Sequence, residues 1–392
     1  MARLWSSGFE LNSLTANVEF TSVTGSPTIQ TSIVRSGTYA MRSNPTGATA
    51  FVEYTYGSSN SVAAYVRFFI YIATATDALD KIFQFGGSSP GIDEVSIRMN
   101  SDRTLELWND AGVGSQLGSN SDALNTDQWH MIEVFWDASS GTSTEARLDG
   151  VSFASGNATG SAAGVVFAKF GCVTTTTADL YFDDIAINDD SGSFQNSWPG
   201  EGGIIHLRPN AAGDDEQWVF DYDRIDEVTP DDGSTFIAHN ILNQTAEFNL
   251  DATPTDLASD ATVNVVQVGT RFHGSASSSN ASFVLRIKAT SGGTVEESSA
   301  ITPPNTTWVT NAIAAPRNYH MTLYDLPGSS TDAWTKTTLD TAQIGVRIST
   351  QNTNNVDIST MWLLVDYTAG EGEPEPPATV VVMPTLLTLG VG

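Results

Sequence analysis

AAYVRFFIYIA, residues 63–73, is apolar on both of its faces. In an extended chain Tyr65, Arg67, Phe69 and Tyr71 point one way, and Val66, Phe68, Ile70 and Ile72 point the other. A strand that is apolar on both sides must be packed on both sides, as in the centre of a sandwich. The surrounding chain repeats the theme. DKIFQFGG (80–87) and EVSIRMNSDRTLELWNDAG (94–112) read as strands, the second as a pair joined at Asn100–Asp102. QWHMIEVFWDASSGTSTEARLDGVSF (128–153) reads as strand, loop and strand, with Asp149-Gly150 supplying a tight turn. In ADLYFDDIAIND (178–189), Leu180, Phe182, Ile185 and Ile187 are core candidates. The step from Phe182 to Ile185 breaks the alternation, which predicts a bulge at Asp183-Asp184.

The whole chain fits this reading. Helix formers are scarce among its 392 residues, and Thr, Ser, Gly, Asn and Val dominate. The length exceeds the usual single core, so two domains are expected. After residue 188 the composition shifts to Gly, Pro, Asp and Glu, punctuated by Phe194, Trp198, Trp218 and Phe220. A free linker has no use for large aromatics, so an ordered connection is expected there. A second β series then begins, including TAEFNLDA (245–252), TVNVVQVGTRFHG (262–274), ASFVLRIKAT (281–290), AQIGVRIST (342–350) and STMWLLVDYT (359–368). The expected fold class is all-β: a jelly-roll-like sandwich over 1–190, an acidic connection over 191–235 and a second β-sandwich over 236–369. An extended tail follows.

Charge narrows the partners. Seventeen basic residues face 45 acidic ones, for a formal charge of −28. Phosphate neutralisation is therefore a poor basis for binding, which argues against nucleic acid, and anionic membrane surfaces are equally unsuitable. No run approaches the roughly 20 apolar residues of a membrane span. The first residues, MARLWSSGFELNS, lack an apolar signal core. Sequons begin at Asn157, Asn243, Asn280 and Asn305, as Asn- and Thr-rich loops produce by chance. Cys172 is the sole cysteine and reads as a buried, inert thiol.

YVRFFIYI, LELWNDAG, WHMIEVFWD, RLDGV and LYFDDIAI, in this order, resemble successive strands of a concanavalin A-like, laminin-G-like jelly roll. Over nearly the whole chain, a second resemblance is to structural proteins of tailed bacteriophages. It is carried by the Trp-Pro-Gly connection at 198–200 and by the YDLPGSSTDAWTKTTLD and MWLLVDYT segments. It implies a virion component, such as a head decoration, a tail or a fibre.

Concanavalin A-like folds include glucanases, in which two carboxylates share one sheet face. Glu133 and Asp137 do share a face here, but Phe135 lies between them. Four residues of extended chain put them roughly 13 Å apart, against the roughly 5–5.5 Å of a retaining pair. GSSPG at 87–91 matches a nucleophile elbow in letters only, because a strand rather than a helix follows it. His130, His206, His239, His273 and His320 are scattered, without zinc-site spacing. A chain without catalytic activity is expected, and no cofactor. Calcium could draw on the carboxylates of DDIAINDD (183–190) or GDDEQWVFDYDRIDE (213–227), although acidic runs more often simply face water.

Two aromatic sites are candidate glycan platforms: Trp108 with Asn109 and Asp110, and Trp136 with Asp137. Against both stands the common use of large aromatics as sandwich core. The rival functional readings are a carbohydrate-binding host-attachment module and a glycoside hydrolase or lyase of this fold. The chain ends in a stiff spacer, residues 370–377, with Glu371, Glu373, Glu375, Pro374, Pro376 and Pro377. The apolar stretch 378–392 follows. Val380, Val381, Val382, Met383, Leu386, Leu387 and Leu389 are suited to adding a strand to another subunit's sheet edge. Homo-oligomerisation or docking on other virion subunits is expected from it.

Overall fold

The computed structural model describes residues 3–55, 63–87, 93–111, 114–137, 143–158, 164–218, 221–255, 257–310 and 320–370. The candidate docking residues Val380, Val381, Val382, Met383, Leu386, Leu387 and Leu389 lie outside the described residues, as does most of the spacer. Among those described, the architecture is all-β: a jelly-roll sandwich of eight- and seven-stranded sheets, then a second sandwich of two five-stranded sheets.

Ala63–Thr74 lies mid-sheet, as its two apolar faces require. It pairs antiparallel with Trp129–Asp137 on one side and Asp179–Asp189 on the other. Ser143–Leu148 and Val151–Asn157 extend the eight-stranded sheet beyond Trp129–Asp137. Arg3–Ser7 and Ala40–Ser43 both pair with Asp179–Asp189, and Thr28–Gln30 adds outside Ala40–Ser43. The seven-stranded sheet runs Ser115–Leu117, Leu105–Asn109, Asp93–Met99, Asp80–Gly87, Val165–Thr176, Ala48–Thr55 and Ser22–Thr24. Val66, Phe68, Ile70 and Ile72 from one sheet meet Phe83, Phe85, Ile97 and Phe170 from the other, all fully buried. The bulge at Asp183-Asp184 is present: the register shifts between Asp183 and Ala186, and Asp184 has φ 49°.

Trp136 requires a correction. It is a core residue with no exposure, in phase with Ile132 and Val134. A ring facing the opposite sheet cannot be a glycan platform.

Residues 203–216, assigned from sequence to the connection, are strands of the second sandwich. Gly203–Leu207 pairs with Val356–Thr368, and Pro209–Glu216 with Thr245–Leu250. Val356–Thr368 pairs also with Thr262–Gly274 and Ile237–His239, and Thr262–Gly274 with His320–Leu323. The opposing sheet adds Gln343–Thr350, Ser282–Lys288 and Glu296–Glu297.

The two sandwiches meet on the outer face of the eight-stranded sheet. Leu11, Val18, Ile204, Trp362 and Leu364 form a small apolar cluster in the seam. Beside it, Asp366 receives Arg3 Nη1 at 2.5 Å and Arg67 Nη2 at 3.3 Å, with all three side chains fully buried. Asn264 Nδ2 donates to the other oxygen at 3.1 Å. Burial alone would raise the Asp366 carboxyl; Arg67 and Arg3 outweigh it and hold the group at about 2.

Candidate functional site

The jelly roll has two outer faces, and the sequence candidates are divided between them. Glu133, Phe135 and Asp137 point outward from the eight-stranded sheet, where the connection crosses. Tyr65 and Phe135 stack at 4.5 Å, and Trp198 packs edge-on against both, at 5.4 and 6.1 Å. The Arg147 guanidinium covers the Trp198 ring at 3.8 Å. Gly200 N–H donates to Glu133 Oε1 at 2.8 Å, and Arg67 Nη1 donates to Gly200 O at 3.2 Å. Gly202 has a steric reason: a Cβ there would sit 2.4 Å from Arg67 Nη1. Burial pushes the Glu133 carboxyl up, opposed by the Gly200 N–H and by Arg147 and Arg67. Glu133 is therefore capped by its own chain and lies beneath a strap. Phe194 stacks on Tyr324 at 5.2 Å, so together Trp198 and Phe194 anchor the connection to both sandwiches; Trp218, 5.5 Å from His239, belongs to the second core.

The outer face of the seven-stranded sheet differs. Lys81, Arg98 and Glu106 lie side by side across three strands, because the register aligns Lys81 with Arg98 and Arg98 with Glu106. Gln84, Ser96 and Trp108 form the next row. Lys81 Nζ bridges Asp93 at 2.9 Å and Asp110 at 3.0 Å. Arg98 Nη2 reaches Asp110 at 2.6 Å, and its guanidinium lies 4.0 Å from the Trp108 ring centre. Trp108 Nε1 donates to Glu106 Oε2 at 2.7 Å, while Asn100 Nδ2 donates to Oε1 at 2.9 Å. Asn109 is buried, and its Oδ1 accepts from Ala111 N. Further along, Lys169 Nζ sits over the Phe51 and Phe167 rings, at 5.4 and 4.9 Å. Lys81, Arg98, Trp108 and Lys169 are all partly exposed.

Of the residues singled out from sequence, Trp108 and Asp110 thus enter one cluster, whereas Trp136 does not. Sequence reasoning missed Lys81, Asp93, Arg98 and Glu106. The signal was alternation within each strand; the pairing register needed to align them was not legible.

Three carboxylates of the acidic runs, Asp183, Asp184 and Asp214, spend their oxygens internally. Asp184 accepts from Arg35 Nη1 at 2.8 Å, Ser36 Oγ at 2.6 Å and Ile204 N at 2.6 Å. Asp183 accepts from Arg35 N at 3.0 Å. Asp214 is held by Lys288, Ser291 and Gly292, well below the usual carboxylate range. Among the described residues no group of His, Cys, Asp and Glu is placed to hold a metal ion. His130 Nδ1 and Met131 N share the Asp149 carboxylate at the hairpin turn, at 2.9 and 2.8 Å. The Cys172 thiol is buried and pushed up to about 12. Among the described residues no helix is long and apolar enough to cross a membrane.

No protein-family model matches the sequence, and no curated protein does. Solved structures do match. An endo-β-1,4-glucuronan lyase from Trichoderma reesei is 15% identical over 47% of this chain and 95% of its own, with a TM-score of 0.37. A carbohydrate esterase from the Shiga toxin-encoding bacteriophage phi24B is 16% identical over 49% and 100%, with a TM-score of 0.38. Domain 4 of an extracellular arabinanase from Geobacillus stearothermophilus, in complex with arabinotriose, is 18% identical over 48% and 93%, with a TM-score of 0.34. At these identities no activity passes from them to this chain. They do correct the expectation that the chain is not an enzyme. The spacing of Glu133 and Asp137 bears on retaining glycoside hydrolysis alone, and a lyase and an esterase stand among the matches. That spacing therefore does not exclude an enzyme.

Proposed function

We propose that the chain is a carbohydrate-binding component of a bacteriophage particle, with the outer face of the seven-stranded sheet as its glycan site. The observation that carries this reading is the cluster around Trp108. A partly exposed indole stands beside Arg98, Glu106, Asp110, Lys81 and Asp93, which together offer donors and acceptors in fixed positions. Sugars are bound by such combinations, an apolar ring face for the C–H side and charged or amide groups for the hydroxyls. The particle assignment rests on the resemblance of the Trp198-Pro199-Gly200 connection and the later segments to phage structural proteins. In that reading residues 378–392 dock on a neighbouring subunit.

The test is a glycan array read with the intact chain and with Trp108→Ala. Binding that the substitution abolishes supports the site; no binding at millimolar sugar overturns it. Separately, deletion of 378–392 is expected to abolish co-sedimentation with particles, or self-association, while both sandwiches stay folded. Normal incorporation of the truncated chain would remove the docking role.

A further inference from the structure

Residues 8–21 leave the first strand and wedge into the seam, where Leu11 and Val18 pack on Ile204, Trp362 and Leu364. The same loop buries two carboxyl groups. Glu10 Oε1 accepts from Thr38 N at 2.9 Å and Tyr39 N at 3.0 Å. Gly37, at φ 66°, is what admits it, since a Cβ there would lie 2.3 Å from Oε1. Glu19 Oε1 accepts from Ser7 Oγ at 2.5 Å, and its buried Oε2 has no hydrogen-bond partner among the described residues. Glu19 also lines a cavity of about 10 Å³ between the sandwiches, with Trp5, Leu11, His206, Thr310, Trp362 and Leu364 among its walls. That is room for about one water.

The opposing charges do not balance this pair. Among the described residues, Arg208 is the cation acting on both carboxyls, and its donors go to main-chain carbonyls: Glu10 O at 2.6 Å, Glu227 O at 2.8 Å and Val228 O at 3.2 Å. Asp184 and Asp183 add carboxyls facing Glu10; Asp251 and Tyr39 act on Arg208 from other sides, and His206 faces the Glu19 cavity. Ionising Glu10 and Glu19 together would bury two negative charges against one guanidinium already committed elsewhere.

We propose that residues 8–21 form a proton-dependent latch: the sandwiches stay closed while Glu10 and Glu19 are neutral, and ionisation of the pair releases the loop and opens the seam. The titration agrees with the geometry. Burial raises Glu10 to about 8, against the Thr38 and Tyr39 N–H groups, and raises Glu19 to about 7, against the Ser7 hydroxyl. Both ordinarily sit at 4.5. The closed state therefore holds protons that a released loop would give up. Closure is fully favoured below 4.5 and is lost as pH rises to about 8.

Hydrogen exchange read by mass spectrometry on the full chain, corrected for the intrinsic pH dependence, tests the latch. In the wild type, protection of peptides from 8–21 is expected to fall at least tenfold between pH 5.5 and 8.5. Peptides from Asp80–Gly87, in the first core, should hold constant. The Glu10→Gln/Glu19→Gln double variant should keep 8–21 protected throughout. A double variant that loses protection as steeply as the wild type overturns the latch. Should that variant fail to fold, the wild-type profile still decides: protection that is flat across this range, or lost equally from Asp80–Gly87, overturns it.

Discussion

The two outer faces of the jelly roll are built from the same strand alternation and have opposite fates. On the eight-stranded face, charged residues pair with partners far along the chain: Arg3 and Asp366 are 363 residues apart in sequence. On the seven-stranded face, Lys81, Asp93, Arg98 and Asp110 pair with one another across neighbouring strands. The first set is sealed beneath the strap and the second sandwich; the second remains partly exposed. The energies separate accordingly. Breaking a fully buried pair leaves a charge without compensation, whereas exposed pairs contribute little. What covers a face, more than its strand pattern, decides whether its charges hold the molecule together or are available to a ligand.

The largest expected effect is therefore at the seam. Asp366→Ala leaves Arg3 and Arg67 buried without their carboxylate, and should cost about 3–5 kcal/mol. Urea unfolding at neutral pH measures it. A loss below about 1 kcal/mol would mean that the closed face is held by apolar contact alone. The pH dependence has a definite sign. Because the folded carboxyl is held at about 2, below its ordinary 3.8, its contribution is complete above 3.8 and is lost as pH falls toward 2. The Glu10 and Glu19 latch weakens at the other end of the scale, so the seam should be tightest in mild acid.

These pairings show where sequence reading stops. Ala63–Thr74 announced itself, because an apolar run with two apolar faces has one physical solution. Trp136 was also decidable: Glu133 and Phe135 fix the strand's phase, which sends Trp136 inward with Ile132 and Val134. By contrast, Gly203–Leu207 and Pro209–Glu216 are strands in a region whose composition is dominated by Gly, Pro, Asp and Glu. Their partners, Val356–Thr368 and Thr245–Leu250, supply the β-rich edges they pair with. Local propensity does not carry that information. The cluster at Trp108 was half legible, since Asp110 is two residues away, while Lys81 and Arg98 arrive through register.

An intermediate effect is expected at the strap. Trp198→Ala removes two edge-on aromatic contacts and the Arg147 stack. Pairs of these kinds are worth about 0.5–1.5 kcal/mol each, so a partly exposed Trp198 should cost about 1–3 kcal/mol. Limited proteolysis should show faster cleavage within 195–202. If the rate does not change, the hydrogen bonds from Gly200 to Glu133 and from Arg67 to Gly200 hold the strap without the ring.

Trp108→Ala should have the smallest effect on stability and sharpens the contrast most. The ring is partly exposed, and its removal leaves Arg98 on Asp110 and Asn100 on Glu106. The expected loss is about 0.5–1 kcal/mol, the worth of the Arg98 stack at a partly exposed site. Glycan retention should disappear with it, and Arg98→Met should weaken retention by a smaller factor, because it removes a donor and keeps most of the hydrophobic contact. The informative failure is a Trp108→Ala chain destabilised as much as Trp198→Ala. The indole would then be holding the sheet together, both faces would be structural, and the proposed glycan site would fall.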